Sequence, residues 1–322
     1  MNLRSLWWLS VLALALPVHA ESTPATSAEA PKQKAILVTG ATSGIGRNIA
    51  ETLAREGYLV YAGARKQADI DELSAIDNIE GIRLDVTVQK DVDEALALVR
   101  ERGTGLYGLV NNAGVAVFAP LIEVDEVDMR FVMDVNLMGP WRVTRAFAPL
   151  LIESKGRITT IGSISGTVSG LLFGPYSMSK HAVEAYTDSL AREMQKFGVE
   201  VSVIEPGNFK SDIALSVRNR MQQRGQTTEG SLYREELERV MAAPADRSNY
   251  QEPDAVSAAV KRALFDASPQ RRYMVVPDQR EAEITIRKAI EEMVQLNQNQ
   301  PFAYDREALI RMLDEAMAPA SE

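Results

Sequence analysis

Residues 35 to 46 read Ala-Ile-Leu-Val-Thr-Gly-Ala-Thr-Ser-Gly-Ile-Gly, and the fold class turns on this stretch. The apolar run Ala35–Val38 predicts a short strand. The residues after Gly46 carry a helical pattern through Glu56 that Gly57 closes. A strand, a glycine turn and a helix in that order are what a dinucleotide site requires. Gly40 allows the tight turn, while Gly44 and Gly46 let backbone approach a pyrophosphate at the positive helix N-terminus and let the helix pack close to the strand. Thr42, Ser43 and Ile45 fill the rest of the turn. The spacing is Gly-x-x-x-Gly-x-Gly rather than Gly-x-Gly-x-x-Gly, and a glycine-rich loop without a ligand is the competing reading.

Working outward, strands and helices alternate in the manner of a parallel sheet covered on both faces. Tyr58 to Gly63 reads as a second strand, followed by Ala64-Arg65-Lys66. In a Rossmann unit an acid at this strand end holds the ribose 2′-hydroxyl of NAD, whereas an arginine accommodates the 2′-phosphate of NADP. No acid stands there and Arg65 does, which favours NADP(H) over NAD(H), with a solvated surface arginine as the alternative. Gly81 to Val86 reads as a third strand ending at Asp85 and Val86. Asp85 is a candidate contact to the adenine ring, or a plain turn aspartate. Gln89 to Arg102 is helical, and Leu106 to Val110 is a fourth strand that runs into Asn111-Asn112-Ala113-Gly114, a loop at the carboxyl end of a strand where ligands bind in open α/β sheets.

The second half supplies groups able to move protons. Glu126 to Ile152 is expected to form one long helix or two, interrupted near Gly139-Pro140, with Asn136 a bend with a role or a chance asparagine. Gly156 to Gly162 is a fifth strand that delivers Ser163. After a glycine-rich loop, a helix begins at Tyr176 and runs to about Phe197 as Tyr-Ser-Met-Ser-Lys and beyond. Tyr176 and Lys180 are one helical turn apart on one face, so the ammonium is expected to pull the phenol down from about 10 toward working pH. Taken alone, the pair is also what chance places on many surface helices. Val199 to Ile204 is a sixth strand leading to Pro206 and Gly207, a loop expected to cover a nicotinamide. The polar stretch from Ser211 to Asn249 follows at the substrate mouth, and helix Asp254 to Asp266 and strand Tyr273 to Val276 complete the sheet. The expected architecture is a single Rossmann-type, doubly wound α/β domain over 34–280 with a helical extension over 281–322, packed on the domain or on a partner subunit.

Composition narrows the function. The chain has 322 residues and a net charge of −9, so it has no general basic footprint for nucleic acid. It has no cysteine and two histidines, His19 and His181, which argues against a thiol nucleophile, a disulfide or a metal site. Arg4, an apolar run from Leu6 to Val18 and Val18-His19-Ala20 resemble a secretory signal with a small-residue cleavage site. Residues 1–20 are therefore expected to be a cleaved signal directing export to the periplasm, with an uncleaved anchor and peripheral membrane association as the alternative. Residues 21–33 read as a linker.

Together, Thr39-Gly40 through Gly46, Asn111-Asn112-Ala113-Gly114, Ser163, Tyr176-x-x-x-Lys180 and Pro206-Gly207 resemble the short-chain dehydrogenase/reductase family over about 34 to 276. The resemblance implies a catalytic tetrad of Asn136, Ser163, Tyr176 and Lys180. Ser163 would hold the substrate oxygen, Tyr176 would pass the proton, Lys180 would bind the nicotinamide ribose and tune Tyr176, and Asn136 would hold a water in the proton relay. It also implies cofactor contacts at Gly40, Thr42, Ser43, Gly44, Ile45, Gly46, Arg65, Asp85, Val86, Asn112, Ala113, Gly114, Tyr176, Lys180, Pro206 and Gly207, a small carbonyl or alcohol substrate, and a homodimer or homotetramer. Val135 to Gly139 and Glu205 to Lys210 resemble the branch acting on steroids and retinoids. Two departures stand out: Ser211 is the nearest hydroxyl where the family often has a threonine after Pro-Gly, and an export leader sits oddly with NADP(H). A non-catalytic NADP(H)-binding sensor or envelope scaffold is the competing function. An epimerase or dehydratase fits less well, because such enzymes usually show Gly-x-x-Gly-x-x-Gly.

Overall fold

The computed structural model describes residues 33–318; the leader and most of the linker lie outside them. Seven strands form one parallel sheet in the order β3-β2-β1-β4-β5-β6-β7. In chain order the elements are β1 (Ala35–Val38), α1 (Gly44–Arg55), β2 (Leu59–Ala64), α2 (Gln67–Ser74), β3 (Ile79–Arg83), α3 (Gln89–Arg102), β4 (Gly108–Asn111), α4 (Glu126–Met133), α5 (Gly139–Glu153), β5 (Arg157–Ile161), α6 (Gly174–Met194), β6 (Glu200–Pro206), α7 (Ile213–Gln223), α8 (Arg234–Ala242), α9 (Asp254–Phe265), β7 (Arg272–Val275), α10 (Gln279–Asn297) and α11 (Arg306–Met317).

Because side chains alternate along a strand, β1 feeds two cores. Ile36 and Val38 pack with Ile49 and Leu53 of α1 and Val256, Val260 and Leu264 of α9. Ala35 and Leu37 pack with Val92 and Val99 of α3, Val143 and Phe147 of α5 and Met194 of α6. Both faces are covered, which is why the strands read as apolar runs rather than as alternating ones. The strand order reverses between β1 and β4, so the loops leaving these two strands diverge and open a crevice at their carboxyl ends.

Several expected boundaries move. β3 ends at Arg83, so Asp85 lies in the following turn, where its Oδ1 accepts from Thr87 N and Oγ1 at 2.9 and 2.7 Å. The expected break near Gly139 is instead a π-helical turn, Asp134–Met138, that joins α4 to α5 and holds Asn136 in its middle. The polar stretch at the mouth contains α7 and α8, whose only buried residues are Val217 and Leu237. One buried position per helix leaves almost no periodic signal to read. The two C-terminal helices bury even less: Thr285 in α10 and no residue in α11. Ile286, Ile290, Leu313 and Met317 are exposed. Among the described residues no helix is long and apolar enough to cross a membrane.

Candidate active site

A cavity of about 710 Å³ opens at the carboxyl ends of the strands. The turn after β1 forms one wall. Gly40 and Gly44 have φ of 64° and 54°, left-handed values that glycine adopts without penalty. A methyl on Gly46 would collide with the Asn112 side chain and the Gly40 carbonyl, so helix and loop meet only because that position is bare. Asn112 Nδ2 donates to the Thr39 and Gly40 carbonyls at 2.9 Å each. Thr39 Oγ1 accepts from Asn112 N and Ala113 N at 3.0 Å. The loops after β1 and β4 are thereby tied together across the point where the strand order reverses.

The turn suits an anion. The first N–H groups of a helix lack intrahelical partners, Ser43 makes no capping bond, and the first turn of α1 holds no acid. Arg65, just past β2, lines the same cavity and is exposed. Thr42, Ser43, Ile45, Asp85, Val86, Ala113, Gly114, Pro206 and Gly207 line it as well. The cradle therefore fits a dinucleotide.

At the other end β5 delivers Ser163 and α6 presents Tyr176 and Lys180. The Tyr176 phenol and the Ser163 hydroxyl are neighbours on the cavity wall, near enough for Ser163 to favour the phenolate, and Ser163 Oγ accepts from Ser165 N at 3.0 Å. Lys180 is buried, donates to the Ile161 carbonyl at 2.8 Å and stands 5.7 Å from the centre of the Tyr176 ring. The expected lowering of Tyr176 is not found in this state. Burial pushes the phenol up, and the opposing pulls come from Ser163 and from the charge of Arg247. Burial also brings the Lys180 ammonium down, to about 8. Desolvation penalises both charged forms.

Asn136 is a clamp. Its Nδ2 donates to the Val115 carbonyl at 2.8 Å and to Ser179 Oγ at 2.9 Å, and its Oδ1 accepts from Val115 N at 2.8 Å. Ser179 Oγ in turn donates to the Tyr176 carbonyl at 2.6 Å. One side chain therefore joins the loop after β4 to the first turn of α6. Both amide hydrogens are committed, so a water held by Asn136 in a relay falls to its oxygen atoms.

Three groups escaped the sequence reading. Ser179 was in plain view within Tyr-Ser-Met-Ser-Lys, three residues after Tyr176. Glu281, at the start of α10, accepts from Asn208 N at 2.9 Å and from Asn208 Nδ2 at 2.7 Å. It passes so near Gly207 that a methyl there would strike it, and nothing local to residue 281 signals this. Beneath Ser163 lies a buried carboxylate pair, Glu184 and Glu205, shared with Arg272. Arg272 Nε lies 3.1 Å from Glu184 Oε2 and 3.6 Å from Glu205 Oε1. Burial and the neighbouring Glu184 push Glu205 up to about 7.

A bare glycine cradle at a helix N-terminus and a neighbouring Ser–Tyr pair beside a buried lysine, all on one doubly wound sheet, define the class as a Rossmann-type dinucleotide-binding protein. The sequence comparisons name the family. The short chain dehydrogenase model matches residues 34–223, and the chain belongs to that family. It is 39% identical over 203 residues to the mitochondrial D-beta-hydroxybutyrate dehydrogenase of Bos taurus, covering 60% of this chain and 59% of that one. It is 35% identical over 256 residues to retinol dehydrogenase 7 of Rattus norvegicus, covering 75% and 80% respectively. The chain spans about three fifths of the first of these relatives. A solved structure of an actinorhodin polyketide ketoreductase with NADPH superimposes with a TM-score of 0.63 at 28% identity, covering 76% of this chain and 95% of that one.

Proposed function

We propose that the cavity binds NADP(H) and interconverts a secondary alcohol and a ketone, or a primary alcohol and an aldehyde, on a lipophilic substrate. The observation that carries this reading is the convergence of Ser163, Tyr176 and buried Lys180 on the same cavity as the glycine cradle. A bound nicotinamide supplies or accepts the hydride. Ser163 holds the substrate oxygen. Tyr176 gives that oxygen its proton in reduction and takes it in oxidation. Lys180 spends one of its three protons on the Ile161 carbonyl and has two left for the cofactor ribose. Asn136 keeps the Tyr176 turn and the loop after β4 in register.

NADP(H) is favoured because Arg65 occupies the place where an NAD site carries an acid. The branch reading draws on the retinol dehydrogenase likeness, while the hydroxybutyrate dehydrogenase likeness points to a smaller and anionic alcohol. Assembly as a homodimer or homotetramer, and export by the leader, extend the proposal. N-terminal sequencing of the mature protein tests the latter, since loss of residues 1–20 fits export and their retention fits an anchor.

A sweep of ketones and alcohols, followed by nicotinamide absorbance, tests the activity. Reduction with NADPH is expected. Failure across the panel with both nicotinamide cofactors would contradict the reading. Arg65→Asp is expected to weaken NADPH about tenfold or more while sparing NADH, consistent with the loss of a charged hydrogen bond. Equal effects on the two cofactors would return Arg65 to the solvated surface.

A further inference from the structure

Six charged residues line the cavity: Arg65, Asp85, Asp134, Lys180, Asp212 and Arg247. Four are accounted for by their places, and the carboxylate of Asp212 has no ion pair or hydrogen bond among the described residues. In the reading above Arg65 stands at the adenosine end. Asp85 holds Thr87, Asp134 pairs with Arg142 at 2.5 Å, and Lys180 is bound to the Ile161 carbonyl. The Asp212 backbone lies over Gly44 on the glycine turn. Of the cations, Arg247 remains: among the described residues it has neither an ion pair nor a side-chain hydrogen bond.

The surroundings of Arg247 orient its charge without neutralising it. Its guanidinium lies 5.2 Å from the centre of the Tyr250 ring, and its carbonyl closes a turn by accepting from Tyr250 N at 3.0 Å. The adjacent carboxylate of Asp246 is taken up by Ser248 N and Oγ at 2.8 and 2.9 Å. Glu252 is paired with Lys210 at 2.5 Å. Arg247 is half-buried, so its position on the cavity wall is not that of a freely solvated side chain.

Arg247 and Tyr176 line the same cavity, near enough for the guanidinium to act on the phenol. Its charge is felt at the Tyr176 phenol, which it pulls down. Part of the cavity wall is apolar. Phe118 and Phe173 pack with ring centres 4.2 Å apart, and Val168 and Ile213 continue the lining. A guanidinium recognises a carboxylate through two parallel N–H bonds, and such a bond is worth most where apolar walls exclude water.

Resting on the alcohol–ketone reading above, we propose that the substrate is an amphipathic hydroxy acid or keto acid whose carboxylate is bound by Arg247 and whose apolar body lies against Phe118 and Phe173. Arg247 is thus a specificity residue for the anionic end of the substrate. A neutral retinoid-like alcohol leaves this cation unanswered.

The test uses the full chain and phenyl-bearing hydroxy acids with the hydroxyl one to four carbons from the carboxylate, each compared with its primary amide. Wild type is expected to prefer the best acid over its amide by about tenfold to hundredfold in kcat/KM, as loss of a charged hydrogen bond implies. Arg247→Gln should erase that preference, Arg247→Lys should restore part of it, and the Kd for NADPH should hold in both. Equal turnover of acid and amide by wild type would overturn the proposal. So would an Arg247→Gln variant that binds NADPH more weakly while keeping its preference, because that outcome assigns Arg247 to the cofactor phosphates. Titration of the same acids and amides into the NADP-loaded Tyr176→Phe protein reads recognition without turnover. Tighter binding of the acid there, with no turnover in wild type, would keep the Arg247 assignment and contradict the reaction. Equal binding of acid and amide would remove the Arg247 assignment whatever the turnover.

Discussion

The floor of the cavity and its roof are built in contrasting ways. On the floor, Asn136, Asn112, Ser179 and Lys180 are bonded to main-chain atoms of strand ends and of the first turn of α6, so each side chain reports on backbone that the sheet has already fixed. The roof, α7 to α8 with the loops on either side, is held mainly by side chains reaching across long sequence separations. Asp128, buried in α4, accepts from Arg220 at 2.6 Å, Arg224 at 3.2 Å and Gln226 at 2.6 Å. Glu123 accepts from Ser231 Oγ and Leu232 N at 2.6 and 2.8 Å. Lys210 and Glu252 pair at the surface. The groups proposed above to carry the chemistry belong to the floor or are held by it. The roof has few buried apolar contacts and correspondingly low local stability.

That contrast can be broken at several points, and the largest effect is expected on the floor. Lys180→Met should lower kcat by about 10² to 10⁴, the range for loss of a group that supports proton transfer, with the fold retained by circular dichroism. A fall in KM-dependent terms alone would move Lys180 out of the reaction. Next comes the single deep anchor of the roof. Asp128→Ala leaves Arg220 and Arg224 without their buried partner and should cost about 3 kcal/mol, read as a lower Tm and as a raised substrate KM with the NADPH Kd little changed. An unchanged KM would detach the roof from recognition.

A smaller effect is expected under Ser163. An ordinary carboxyl titrates at 4.5 and folded Glu205 at about 7, so the folded chain holds the proton more tightly than the unfolded one. The stability this gives is fully present below about 4.5 and is lost as pH rises through about 7. Glu205→Gln should remove that loss, giving a variant whose Tm exceeds wild type above pH 7 and does not exceed it near pH 4.5. A parallel offset at both ends of the range would contradict the assignment. Smallest of all, Lys210→Ala removes an exposed pair and should leave Tm within error, because such pairs add little against solvent screening.

The same contrast governs what could be read from the chain. The turn from Thr39 to Gly46, the Asn111–Gly114 loop and the Tyr176–Lys180 pair are legible because each is set by local spacing, where glycine freedom or one helical turn is the whole requirement. Asn136 was legible as an irregularity and not as a π-turn, because the extra residue is accommodated by contacts to Val115 and Ser179 that lie 21 and 43 positions away. Helices α7 and α8 were hidden, since one buried residue apiece leaves no amphipathic stripe to see. Glu281 and Arg247 reach the site from the end of the chain and from a turn, and no local pattern marks either. The expected lowering of Tyr176 failed for a related reason: spacing places the lysine, but burial, which decides the direction, is a property of the assembled fold.

The central claim is that Tyr176 carries the proton. Steady-state turnover and NADPH binding of Tyr176→Phe, measured side by side with wild type on the best substrate of the panel, test this most directly. The account predicts that turnover falls by about 10³ or more, in the range of lost general acid–base catalysis, while the Kd for NADPH stays within about twofold, under half a kcal/mol. Turnover that survives the loss of the hydroxyl would contradict it.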